Sequence, residues 1–156
     1  MPPFARIVLT ALLLVAAGGA GAGPVTEAPV RYEPSGNTAV AITGPITLSQ
    51  SSLAFGTGTT VGLEPVEDGV EAAWDGLTGP VAGQIFAMER DPGTLLNGNT
   101  LCGPERARYV VVSEREAYGM TTLTLSVFGG EDAPTSDESA GFCGTFGYDA
   151  DAARKP

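Results

Sequence analysis

Apolar and polar residues alternate along most of this chain with a period of two. The clearest case is Thr121 to Phe128, where Leu123, Leu125 and Val127 interleave with Thr122, Thr124 and Ser126. Successive side chains of a strand point to opposite faces, so this spacing predicts a half-buried strand with aliphatics on one side and hydroxyls on the other. Ile46 to Phe55 predicts two short strands, because the phase carried by Ile46 and Leu48 breaks at Gln50-Ser51-Ser52 before Leu53 and Phe55. Gly56-Thr57-Gly58 reads as a hairpin turn into a short strand over Thr59 to Leu63. Val81 to Met88 and Ala107 to Ser113 predict further strands. In the second, Tyr109-Val110-Val111-Val112 is apolar on both faces, as in a strand covered on both sides. Phe142, Phe146 and Tyr148 fall on one face of a last strand, with Cys143 on the other. Helix is suggested in two short places only, Gly93 to Leu96 closed by Asn97-Gly98, and Val70 to Trp74. About seven or eight short strands with glycine-rich turns and no α/β alternation predict an all-β fold, an antiparallel sandwich or small closed barrel.

The first residues follow another pattern. Arg6, the apolar run Ile7 to Ala17 and the small residues Gly18 to Gly23 have the order of a secretory signal, with Ala20-Gly21-Ala22 as the cleavage site. The run is shorter than the roughly 20 helical residues that span a bilayer, so the expectation is a signal peptide over 1–22 and no membrane anchor after its removal. Residues 23–37, with Pro24, Pro29, Pro34 and Gly36, read as an extended Pro-rich lead. The single β-domain is expected over 38–150, followed by a disordered tail over 151–156.

Composition then narrows the chemistry. Cys102 and Cys143 are the two cysteines, and an even count in an exported chain predicts a disulfide. No histidine occurs, which excludes Ser-His-Asp and Cys-His hydrolases and His-ligated zinc. Eighteen acidic against eight basic residues make a surface that repels nucleic acid and anionic headgroups. The acids gather in two stretches read as solvated loops, Glu64 to Asp75 and Glu131 to Glu138. The second has oxygen-bearing neighbours but lacks the spacing of a calcium loop. The glycines after Phe55 do not form a dinucleotide fingerprint, and Asp75-Gly76 is not an aspartic-protease motif. No catalytic residue, metal ligand or cofactor is assigned.

The most idiosyncratic stretch is Asp91 to Gly103. Asp91, Pro92, Leu95, Leu96, Asn97 and Asn99 are its candidate interaction residues, apolar and turn-forming side chains in a loop that a Cys102–Cys143 bridge would hold rigid. The segments L-L-N-G-N-T-L-C-G (Leu95 to Gly103) and C-G-T-F-G-Y (Cys143 to Tyr148) resemble those of small exported proteins of Gram-negative bacteria without assigned function. The resemblance covers most of the mature domain and supplies no catalytic residue. In architecture a signal-led β-domain with one disulfide also resembles periplasmic inhibitors of proteases or lysozyme, although fold does not transfer function. The functional expectation is a periplasmic or secreted, non-enzymatic interaction module, an inhibitor or assembly accessory, with the Asp91 to Thr100 loop and the two acidic loops as its contact surface and an envelope or extracellular protein as partner. The alternative is a small-ligand-binding barrel whose pocket is lined by Phe55, Phe128, Phe142 and Phe146.

Overall fold

Eight strands follow one another around a ring: β1 Val30–Pro34, β2 Ile46–Leu48, β3 Ser52–Ala54, β4 Thr60–Ala72, β5 Val81–Met88, β6 Tyr109–Ala117, β7 Met120–Phe128 and β8 Phe142–Asp149. Each runs antiparallel to the next, and β8 returns to β1 through Pro34↔Tyr148, so the sheet closes as a barrel. The computed structural model describes residues 23–156; the expected leader, residues 1–22, lies outside them. Inward positions such as Leu48, Val61, Phe86, Val112, Leu125 and Phe146 fill the barrel, as an eight-stranded ring is just wide enough to be packed by side chains.

Connections at the two ends differ. At one end lie helix α1 (Asn37–Ile42) and the long β5–β6 connection with its 3-10 turn Leu96–Gly98. At the other lie residues 23–29, the two-residue β6–β7 turn and the short helix α2 (Ala150–Ala153), which packs on β1 and β7. The β6–β7 turn is Tyr118-Gly119, both with positive φ, the backbone that a tight hairpin requires. A second apolar cluster of Trp74, Ile85, Val111 and Phe128 sits outside the barrel on β5, β6 and β7. Val110 and Val112 belong to the interior, which is why β6 reads as apolar on both faces.

Several expectations are corrected. Residues 23–37 are not a lead outside the core: Val25 and Tyr32 are buried, and β1 closes the barrel. Tyr32 is the one fully buried side chain of β1, with Val30 partly buried against the same cluster, so its alternation is too short to register against the surrounding prolines. The 151–156 tail begins within α2, where the Asp149 carboxylate accepts the Ala152 N–H at 2.9 Å. The first acidic stretch is strand through Ala72 rather than loop, and no helix forms at Val70 to Trp74. In β8, Gly144 pairs with Val127 and Phe142 with Phe128, leaving Cys143 as an extra residue. That bulge, with φ +151 at Gly144, turns Phe142 onto the outer cluster beside Phe128 and Cys143 toward the interior cluster.

Candidate functional site

The Asp91–Thr100 loop is a lid on the α1 end of the barrel. One Asp91 oxygen accepts the Gly93 N–H and the other the Ala107 N–H, both at 2.6 Å, which ties the two ends of the connection together. Pro92 and Leu95 are buried and Leu96 is half-buried. Asn97 adopts φ +56 and donates its side-chain amide to the Ala41 carbonyl at 2.9 Å, with Asn99 reaching the same oxygen at 3.4 Å. The side chains singled out in the sequence therefore dock the loop onto α1, leaving Thr94, Asn97 and Gly98 exposed. Cys102 is bonded to Cys143 across 41 positions, joining the lid to the β8 bulge.

Two connections from opposite ends of the barrel meet over its outer face. The β4–β5 connection carries Trp74, wholly buried, whose Nε1 donates to the Val70 carbonyl at 2.8 Å while its carbonyl accepts from Ser126 Oγ. The ring lies where β5 has no side chain: a Cβ on Gly83 would fall 2.5 Å from Trp74 Nε1 and 2.7 Å from Val111 Cγ1. The β7–β8 connection descends to meet it, and Asp137 N–H donates to the Ala73 carbonyl at 2.8 Å. Ser139 Oγ accepts the Thr135 and Ser136 N–H groups, and Pro134 is buried, so this acidic loop is folded on itself. Asp75 closes the strap. Arg115 donates to both of its oxygens, at 2.6 and 3.1 Å, and to the Gly79 carbonyl at 2.9 Å. Burial pushes the Asp75 carboxyl up, but the Arg115 guanidinium and the Leu77 N–H outweigh it and hold its pKa below the usual carboxylate range.

The α2 end is the more open one. A cleft of about 610 Å³ opens there between Gly23, Pro24, Asp68, Gly69, Ala82, Gly83, Gln84, Glu114 and Arg154. Inside it Gln84 Oε1 accepts the Val25 N–H at 2.9 Å, and Arg154 from the end of α2 grips both oxygens of Glu114. Tyr32 lies near this pair, and burial, reinforced by the Glu114 charge, raises its pKa and keeps the hydroxyl protonated. A smaller cleft of about 250 Å³ shares Asp68 and Gln84 and runs along Pro65, Val66 and Glu67 to Gln50. Both clefts border β4 where its register against β5 shifts, between Pro65 and Glu67 and again between Glu67 and Val70. Residues 64–69 are all exposed. Among the described residues, no three carboxylate, Cys or His groups gather into a metal-holding cluster.

Of the four phenylalanines expected to line a pocket, Phe55 and Phe146 belong to the packed interior while Phe128 and Phe142 are outside, so they share no cavity. Sequence reasoning missed Gln84, Glu114 and Arg154, while Asp68 lay in the first acidic stretch it offered as contact surface. Glu114 carried a usable signal, since it continues the inward phase of Val110 and Val112. Arg154 carried none, because only the return of α2 across the barrel mouth brings it to Glu114. In comparisons with family models, curated proteins and solved structures, nothing matches this chain.

Proposed function

We propose that this protein is an exported, non-enzymatic interaction module that engages a protein partner through the α2 end of its barrel, as an inhibitor or an assembly accessory. The observation that carries the reading is the contrast between the two ends. One is sealed by a docked lid and a disulfide, while the other presents two open clefts along an exposed stretch of strand. The apolar interior is filled by side chains, which weighs against the alternative of a carrier with an internal pocket. Export is supported by the leader-like first residues and by the disulfide, since such bonds persist in oxidising compartments.

Photo-reactive residues placed singly at exposed Val66 and Thr94 test this in the native envelope, beside native mass spectrometry of the purified protein. The reading expects a defined protein adduct and a bare mass for the purified chain. A stoichiometric small molecule retained in the native mass, with no adduct at either position, overturns it in favour of the carrier.

A further inference from the structure

The closed barrel has one incomplete seam. β4 runs for 13 residues, and β5 pairs with it from Leu63 to Ala72. On its other side β3 is only three residues long and covers Thr60 to Gly62, with one further hydrogen bond from Leu63 N–H to the Ser51 carbonyl. Among the described residues, no strand pairs with Glu64–Ala72 on that side. Apart from the Val70 carbonyl, which Trp74 Nε1 engages, a strand edge of this length, roughly 25–30 Å, presents backbone donors and acceptors that no neighbouring strand uses, the template that an added strand takes up.

The surroundings choose the occupant. Glu64, Glu67, Asp68 and Glu71 are exposed along this edge. The nearest basic group lining the clefts, Arg154, is already held by Glu114. A second copy of the chain would bring the same carboxylates against themselves, and like charges placed opposite one another across strands are destabilising. Pro65 and the two bulges likewise discourage indiscriminate pairing. A segment with Lys or Arg at alternate positions replaces the charge repulsion with attraction, and its side chains on one face would point toward the two clefts that converge at Asp68.

We infer that the edge of β4 over Glu64–Ala72 receives an extended, basic segment of a protein partner as an added strand. This rests on the interaction-module reading and names its recognition chemistry. Backbone ladder bonds supply affinity, and alternate side chains entering the clefts supply selectivity.

The test uses the isotopically labelled mature chain and two synthetic peptides of equal length, one alternating Lys with Thr and Val, the other Glu with Thr and Val. Amide hydrogen exchange read by NMR is expected to slow about ten-fold at alternate positions of Glu64–Ala72 when the Lys peptide is added at low salt. Binding is expected to weaken about ten-fold in the exposed variant E64Q/E67Q/D68N/E71Q and again in high salt. Slowed exchange elsewhere, binding of the Lys peptide that leaves these amides unchanged, or equal binding of the Glu peptide overturns the inference. An unfolded variant leaves the comparison of peptides and of salt to decide it. An envelope adduct at Val66 with the β4 amides silent to the Lys peptide keeps the module reading and removes this one, whereas an adduct at Thr94 alone removes both.

Discussion

At the scale of single residues, Asp75 and Tyr118 make opposite contributions. The side chain of Asp75 is 4% exposed and that of Arg115 21%, so their pair is better shielded from solvent than a surface ion pair. Because the folded pKa of Asp75 lies below its unfolded value of about 4, the stabilisation is complete above that pH and is lost as pH falls through the folded value. Asp75→Asn should therefore cost about 1–3 kcal/mol at neutral pH, and the gap from wild type should close in acid. Thermal melts of both proteins from pH 7 down to pH 2 check this. Tyr118 is fully exposed and holds φ +54 in a two-residue turn, a conformation that favours Asn or Gly. Tyr118→Asn should raise stability by about 1 kcal/mol in a denaturant titration, since the ring has no burial to lose.

Among the elements, the β7–β8 connection best separates charge from architecture. Its backbone is gathered by Ser139 and tied to Ala73, while the hydrogen bonds it makes do not use the carboxylates of Glu131, Asp132, Asp137 and Glu138. Changing all four to Gln or Asn should leave the melting temperature unchanged or slightly higher, because crowded like charges are removed and no bond is lost. Ser139→Ala should lower stability by about 1 kcal/mol, since two N–H groups lose their acceptor. Calorimetry of the two variants side by side distinguishes them. A calcium-dependent rise in the wild-type melting temperature alone would contradict this account of the loop.

For the whole molecule, closure depends on contacts far apart in sequence. Thr43 Oγ1 and the Tyr148 hydroxyl meet at 2.6 Å across 105 positions where α1 reaches the barrel wall, and burial keeps that hydroxyl protonated. Such non-local pairing slows folding, and the Cys102–Cys143 bond limits the unfolded chain that must be brought together. By loop entropy the bond contributes ~4 kcal/mol of a total that for a domain is about 5–15 kcal/mol. The double variant Cys102→Ser and Cys143→Ser should therefore unfold at markedly lower denaturant, with a slope at least as steep because the unfolded chain is no longer cross-linked. An unchanged midpoint in urea, followed by circular dichroism, would show the lid to be held by Leu95 and Asp91 alone.

What the sequence determined by itself was what local alternation encodes. Leu123, Leu125 and Val127 marked β7, the phase break at Gln50 to Ser52 separated β2 from β3, and Val81 to Met88 matched β5 residue for residue, because inward and outward positions repeat every two residues whatever lies opposite. The Cys102–Cys143 bond was legible from composition instead, since two cysteines allow only one intrachain pairing. Tertiary structure alone decided the rest. Sandwich or barrel turned on whether β8 meets β1, a contact between ends that no window of sequence contains. The phase of Phe142 turned on a bulge set by its pairing with Phe128. Asp91, Asn97 and Asn99, which looked like contact residues, turned out to hold the lid in place once their partners were in position. The open edge of β4 was hidden in a run of acids that reads as loop, because an edge is defined by the absence of a neighbour, and β3 stops ten residues before β4 does.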